Sequence, residues 1–465
     1  MPEPLWTSEE IAAATGGRCV GPMFAATGIS IDTRTLMPGD LFVALAGSRD
    51  GHEFASTALE RGAAGVLASR PVDGPAVQAG DTLAALGRLG EAARVRAAGA
   101  LRAAVTGSVG KTSVTQAIAA GLARAGPAHA SVKSYNNHIG VPLTLARMRP
   151  ETRRAVLEIG MNHAGEIEPL TRLVKPHAVV ITNVAQAHIE NFAEGEAGVA
   201  RAKAEIFAGI EPGGAAVLNA DNRWFDFLAG EARARGGEVR AFGSADGLSA
   251  RLTGFSLEQG GARVEAQLLG RPVVLRLRQS GAHWGLMSLA ALLAMDALEV
   301  PLAEALAALE AFAPLEGRGA EREVRLAAGP FTLIDESYNA NPVSVAAALH
   351  TLGLKVATGR RIAALTDMLE LGPGAPDYHA ALAREIEAAR VDLVFCAGPM
   401  MESLWEALPP TRQGAYAETA AALAPTLTRA VEPGDVVMVK GSRDSNARTL
   451  FEALAGLDAH AGEAA

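Results

Sequence analysis

Apolar positions along this chain do not keep one period. Between residues 28 and 45 they alternate in short runs. Gly28-Ile-Ser-Ile-Asp-Thr-Arg34 reads as a strand, and the turn Met37-Pro-Gly-Asp leads into a second strand ending at Leu45. A helix is expected over 55–63, followed by the apolar run Gly65–Ala68, and an Ala/Arg-rich helix over 81–98 leads onward. From Leu101 the pattern becomes strand, loop, helix, repeated. Strands are predicted at 102–106, 154–159 and 178–182, each followed by a loop rich in Gly, Asn or His, and helices over 283–298 and 301–312 close the segment. Near Pro314 the pattern restarts, with strands at 331–336, 361–366, 391–396 and 435–440 and helices between them. Strands that alternate with helices build parallel sheets, and ligands settle at the C-terminal edge of such strands. The predicted class is α/β in three domains, over 1–82, 83–313 and 314–465. The tail beyond Leu457 is expected to fray. G-x-G-x-x-G is absent, so no dinucleotide cofactor is expected.

Length agrees with that division, since 465 residues at about 150 per domain allow three. The net charge of −9 argues against a general nucleic-acid binder. Two cysteines, Cys19 and Cys396, are too few for a disulfide framework or a cysteine-rich metal site. No apolar run nears about 18 residues and the first residues lack a basic, then apolar, leader, so a cytoplasmic chain without membrane insertion is expected. Only six of the 42 basic residues are lysine: Lys111, Lys133, Lys175, Lys203, Lys355 and Lys440. In an Arg-using chain, a retained Lys suggests a need for a compact ammonium or a deprotonatable amine.

The strongest local signal is Thr106-Gly107-Ser108-Val109-Gly110-Lys111-Thr112-Ser113, where an apolar strand enters a glycine loop and then a helix. Backbone N–H groups and the helix N-terminus cradle a polyphosphate in such a loop; Lys111 would reach the β/γ-phosphates and Thr112 would ligate Mg²⁺. Val105 stands where the full pattern has its first glycine, so this is a shortened variant. It makes the central domain a P-loop, ATPase-like one. Glu158 ends a predicted strand beside the loop, as a Mg²⁺ ligand or a solvated edge carboxylate. His188 is a second metal ligand or a plain loop histidine. Asn136, Asn137 and His138 either bind phosphate or substrate, or form a helix-capping turn. Lys203, on a helix with apolar Val199, Ile206 and Ile210, is a surface lysine or lies near the metal. An ammonium 4 Å from a unit positive charge costs about 4 kcal/mol at an effective dielectric of 20, and twice that beside a divalent ion. A Lys203 near metal must therefore reach a phosphate or become an anion, which CO₂ addition to its amine would achieve as a carbamate.

The ordered set T-G-S-V-G-K-T, N-N-H-I-G-V-P, L-E-I-G-M-N, T-N-V-x-x-A-H-I-E and A-K-x-E-I-F resembles the Mur ligases, ATP-dependent amide ligases of peptidoglycan precursor synthesis. The likeness extends from residue 28 to 445. Ser30-Ile-Asp-Thr-Arg34, Pro38-Gly-Asp-Leu-Phe42 and Asp50-Gly-His-Glu-Phe54 resemble the nucleotide-sugar-binding domain of the later family members. Asp335-Glu-Ser-Tyr-Asn-Ala-Asn-Pro342 with Ser344, Asp367-Met-Leu-Glu-Leu-Gly372 and Lys440-Gly-Ser-Arg443 are similar to the member that adds D-Ala-D-Ala to a UDP-N-acetylmuramoyl-tripeptide. The resemblance implies that Ser30, Asp50, Gly51 and His52 hold the UDP end, and that Gly107–Ser113, Glu158, His188 and carbamylated Lys203 handle ATP and Mg²⁺. It further implies that His283, Arg318, Asp335, Asn339 and Asn341 touch nucleotide, and that Lys440 and Arg443 lie near the dipeptide. The catalytic set is then Lys111, Glu158, His188 and Lys203. The family's H-N-x-x-N is altered here, with Trp284 and Met287 in place of the amides, and Glu194 stands where a glycine is usual. The partners implied are three small substrates and no nucleic acid, for a monomeric enzyme. A folylpolyglutamate-type ligase, a P-loop kinase or ATPase, and a binding module that has lost catalysis are the alternatives.

Overall fold

A computed structural model describes residues 3–47, 49–132, 134–186, 189–258 and 260–460. Strands and helices alternate around three main sheets, as the patterning requires. The first has five strands in the order Arg18–Val20, Ala76–Gln78, Gly65–Ala68, Asp40–Val43, Gly28–Ser30, all parallel except the first pair. The expected helix over 55–63 is shorter, Ala55–Glu60.

The central sheet has nine strands. In spatial order they are Arg271–Leu277, Gly261–Leu268, Ala250–Glu258, Glu238–Gly243, Ala215–Asn219, Ala178–Ile181, Leu101–Thr106, Arg154–Glu158 and Ala128–Ala130. The last seven are parallel, and the first two add an antiparallel meander that the sequence reading passed over. Leu101–Thr106 is fully flanked, so its near-continuous apolar run is buried on both faces, as parallel strands demand. Helix Lys111–Arg124 packs with His283–Ala297 on one face. The other face receives Thr82–Arg96, Gly140–Ala146 and Ile167–Val174.

Thr82–Arg96 begins at the expected 82/83 boundary. Asp81 caps it, its carboxylate accepting from Ala84 N–H at 2.7 Å. Its buried face serves both sides of that boundary, packing on Ser8–Thr15 and on Gly140–Ala146. One hydrophobic cluster therefore runs from Leu5, Ile11, Leu41 and Val77 through Leu86 and Leu89 to Leu157 and Val179.

The third sheet is parallel over Gly329–Glu336, Val436–Lys440, Arg361–Thr366, Leu393–Ala397 and Gln413–Ala417, in that spatial order. Ala320–Leu326 adds an antiparallel edge, because the two-residue turn between Leu326 and Gly329 folds it straight back as a hairpin. Its two cores contain only residues from 324 onward. The tail beyond Leu457 begins as a helical turn, Leu457–His460, with Asp458 tied to Arg322 at 3.1 Å. Among the described residues no helix is long and apolar enough to cross a membrane.

Candidate active site

The glycine loop leaves the central strand at its C-terminal end. Gly107 (φ 148°) and Gly110 (φ 83°) take backbone conformations that L side chains avoid, and a Cβ on Gly107 would collide with Thr182 Oγ1. The next strand's end thus presses on the loop and ties it. Ser108 N–H donates to Asn183 O (2.8 Å), Ser108 Oγ to Ala185 O (3.0 Å) and Thr182 Oγ1 to Val109 O (2.5 Å). Helix Lys111–Arg124 starts directly after, with its N-terminal N–H groups at the cavity. Lys111 Nζ folds back to donate to Gly107 O at 2.7 Å. Burial, above all, pulls its ammonium below the usual lysine range; Arg318 adds to the fall and Glu158 opposes it.

Glu158 stands opposite Val105 in the parallel register, one strand from the loop. Its side chain is 1% exposed. Oε1 accepts from Asn136 Nδ2 at 2.6 Å, while Oε2 is buried with no hydrogen-bond partner among the described residues. Such an oxygen is costly unless something cationic meets it. Lys203 is also buried, at 2% exposed, and its ammonium is pushed well below the usual range, first by burial and then by Lys111. The pattern reading had allowed a surface position for it. Among the described residues no three His, Cys, Asp or Glu gather as a metal cage. The available oxygens, Thr112 Oγ1 and Glu158 Oε2, fit a hard cation that shares its ligands with a phosphate. His188 lies outside the described residues.

The third domain roofs the loop. Arg318, between Gly317 (φ 72°) and Gly319 (φ 88°), donates from Nη2 to Thr112 Oγ1 at 3.0 Å and stacks 4.0 Å from the Tyr338 ring. Tyr338 OH and Ser134 Oγ share a hydrogen bond of 2.8 Å across the same seam. Between these walls lies a cavity of about 260 Å³ lined by Ser108–Ser113, Asn136, Glu158, His283, Arg318, Glu336, Asn339, Asn341 and Lys440. Lys440 Nζ, itself buried, reaches Glu336 Oε2 at 3.2 Å and Asn339 O at 3.1 Å.

An apolar slot of about 160 Å³ adjoins it, walled by Phe242, Leu286, Met287, Ala290, Ala347 and Ala348, with Asn183 and Asn219 at its edge. Met287 and His283 border both spaces. Burial pushes the His283 imidazole below the usual histidine range, and its Nδ1 has no hydrogen-bond partner among the described residues. Trp284 turns into the core against Phe312, with ring centroids 5.7 Å apart. Glu194 is a surface residue paired with Arg201.

Several expected residues are engaged elsewhere. Asp335 is 1% exposed and sits behind the cavity wall, its carboxylate accepting from Gly317 N–H, Ser337 N–H, Ser337 Oγ and Arg448. Asn137 is exposed, and its Oδ1 accepts from Ile139 N–H (3.2 Å) and Gly140 N–H (2.9 Å), which makes it the cap of Gly140–Ala146. His138 and Arg443 are exposed and outside the cavity lining. Asn341 lines the cavity but also caps Pro342–Leu354, accepting from Ser344 N–H at 2.9 Å.

The N-terminal set does not join the loop. Ser30 is buried, its hydroxyl donating to Asp32 O at 3.0 Å. His52 Nε2 accepts from Ser69 N–H at 3.0 Å, so its proton is on Nδ1 and donates to Asp50 Oδ1 at 2.7 Å. Gly51 is pressed against the Leu45 backbone. These residues brace the C-terminal edge of the first sheet. The reading of single residues gave no role to Ser134, Tyr338 or Glu336; Tyr338 and Glu336 sit inside the run that carried the resemblance.

Three family models match in chain order: "Mur ligase family, catalytic domain" over 25–86, "Mur ligase middle domain" over 105–295 and "Mur ligase, glutamate ligase domain" over 322–443. The UDP-N-acetylmuramoyl-tripeptide–D-alanyl-D-alanine ligase of Escherichia coli is 35% identical, over 96% of this chain and 98% of the relative. The Bacillus subtilis protein of the same name is 30% identical, over 94% and 95%. A crystal structure described as MurF from Acinetobacter baumannii superposes with a TM-score of 0.85 at 29% identity, covering 98% of this chain and 99% of that one. With its loop, roof and three sheets all inside these matches, the chain belongs to the Mur ligase family.

Proposed function

We propose that this chain is an ATP-dependent ligase joining D-alanyl-D-alanine to a UDP-N-acetylmuramoyl-tripeptide, giving the UDP-linked pentapeptide, ADP and phosphate. The observation that carries the reading is the roof. Arg318 on Thr112 and Tyr338 on Ser134 bring a second substrate-sized wall to a phosphate loop. A simple ATPase or kinase switch needs no such wall, whereas a three-substrate ligase must assemble its site between domains. The match over residues 25–86 favours a UDP-sugar substrate over a folylpolyglutamate acceptor.

In this reading residues 1–82 hold the UDP end, 83–313 bind ATP, and 314–465 close over the nucleotide and bring the dipeptide. The tripeptide's terminal carboxylate attacks the γ-phosphorus, ADP leaves, and an acyl phosphate forms. The dipeptide amine then attacks the acyl carbon, phosphate leaves, and the amine gives up a proton. Anion meets anion in the first step, so charge neutralisation is the main requirement. Lys111 and the loop N–H groups supply it along the phosphates, and Arg318 supplies it from the roof. The apolar slot takes the purine, with Met287 in van der Waals contact where an amide is usual. Lys440, beside Asn339, faces the dipeptide side.

Thr112 Oγ1 and Glu158 Oε2 would hold Mg²⁺, with Lys203 as its carbamate and His188 as the further ligands that the family resemblance implies; the ion would offset phosphate charge. Carbamate formation suits an amine whose charged form burial disfavours, because only the neutral amine adds CO₂. The substrates are nucleotides and small peptides of the cytoplasm, and one chain holds every wall of the cavity, as a monomer would.

The decisive assay follows ADP release with and without each co-substrate, and product mass. Sustained, multiple-turnover release that needs both the UDP-tripeptide and D-Ala-D-Ala, with a mass gain of one dipeptide, is expected. Sustained ADP turnover that is independent of the dipeptide, with no such mass gain, would overturn the reading.

A further inference from the structure

Arg318 reaches the loop from the segment that joins helix Leu302–Ala311 of the central domain to strand Ala320–Leu326 of the third. Within it, Gly317 and Gly319 flank Arg318 in left-handed conformations. The link closes a turn on itself, Arg318 N–H donating to Leu315 O at 3.0 Å, and Gly319 N–H donates to Asp335 O at 2.8 Å. Where that turn sits over the loop depends on what grips it from outside.

Arg448, on helix Ala447–Ala455, is placed for this. Its Nη2 donates to Glu316 Oε1 at 2.5 Å and its Nη1 to Asp335 Oδ2 at 3.0 Å. Asp335 Oδ2 also accepts from Gly317 N–H at 2.9 Å. One guanidinium therefore grips the link at Glu316 directly and at Gly317 through a buried carboxylate. Its third donor, Nε, goes to Glu452 on its own helix at 3.0 Å. An exposed pair alone holds little, but Asp335 is 1% exposed, and a buried carboxylate stripped of its cation is costly.

We propose that Arg448 is a positioning residue: with Asp335 and Glu316 it fixes the Glu316–Gly317 link so that Arg318 is delivered to the phosphate loop. It touches no cavity atom and acts only through Arg318. The kinetic part of its test rests on the ligase reading above; the nucleotide-affinity part does not.

The experiment uses the full chain with Arg448→Ala, Glu316→Gln, Glu452→Gln, Arg318→Ala and the Arg318→Ala/Arg448→Ala double variant. ATP dependence of turnover and ADP affinity by titration calorimetry are measured for each. Arg448→Ala should raise the KM for ATP and weaken ADP binding by about three- to tenfold, with a smaller change in kcat. Glu316→Gln should move both in the same direction, and Glu452→Gln should move neither. In the Arg318→Ala background Arg448→Ala should add nothing, since its effect passes through the missing side chain. Full additivity of the two, or unchanged ATP dependence in Arg448→Ala, overturns the proposal. If Arg448→Ala does not fold, Glu316→Gln with and without Arg318→Ala decides on the same criteria. A wild-type chain that binds ADP without joining a dipeptide would remove the ligase reading, and the ADP titrations would still judge Arg448.

Discussion

Of the six lysines, Lys111, half-buried, and Lys440, buried, line one cavity, and Lys203 is buried near Lys111. For Lys111 the expected result of substitution by Ala is loss of ADP formation by roughly 10²–10³-fold, from removal of a preorganised charge. UDP-substrate binding should be unchanged, which equilibrium titration would check. Lys203 yields a stability prediction. Its folded pKa lies well below the unfolded one, so between those values the unfolded chain binds the extra proton and stability rises with pH. Lys203→Met should therefore stabilise the protein at neutral pH by roughly 1–4 kcal/mol, in bicarbonate-free buffer, while abolishing turnover. The gain should shrink as pH rises towards the ordinary lysine range; a pH series of denaturant titrations tests this. Lys203→Ala should regain part of its activity with added short carboxylates. Lys111 and Thr112 were legible in the sequence because phosphate loops fix their spacing. For Asn137, Asp335 and His52 the sequence offered ligand roles while the structure shows local hydrogen bonds, because a polar side chain that ties a turn and one that binds a ligand have the same one-dimensional signature.

At the scale of elements, Glu205 shows what holds the site's floor. It lies two residues after Lys203, and its carboxylate accepts from Gly165, Ile167 and Glu168 N–H at 2.7, 3.1 and 3.3 Å. Those donors start helix Ile167–Val174, just beyond the strand that ends in Glu158. Glu205→Ala should cost about 1–3 kcal/mol by orphaning them, measurable by thermal unfolding. The A-K-x-E-I-F run thus carries two buried or bonded charges, Lys203 in the interior near Lys111 and Glu205 at a helix start; only the first was read from the sequence. Parallel strands 101–106, 154–158 and 178–181 were legible because burial on both faces makes them continuously apolar. The meander over 250–277 alternates buried apolar residues with charge, as at Arg263, Glu265 and Arg276, which is itself a half-buried strand pattern; it was passed over because no glycine loop or motif followed it.

For the whole molecule, the informative contrast is between two seams. The first and central domains share one hydrophobic cluster, whereas the third keeps its own cores and meets the loop through Arg318–Thr112 and Tyr338–Ser134. Calorimetry should therefore resolve two unfolding transitions, one for residues up to about 313 and one for the rest, and three separate transitions would contradict the shared core. ADP bound in the cavity lined from both sides of the seam should raise both, by about 2.7 kcal/mol at a hundred times its Kd. The helix Thr82–Arg96 also constrains how such a chain can be recombined. A graft that brought in a foreign amino-terminal module would have to bring the packing partner of Leu86 and Leu89 with it, whereas a foreign carboxyl-terminal module need reproduce only the polar contacts at the loop and the wall of the apolar slot. Exchange of acceptor specificity in laboratory chimaeras should accordingly be easier at the carboxyl-terminal end of the molecule than at its amino-terminal end.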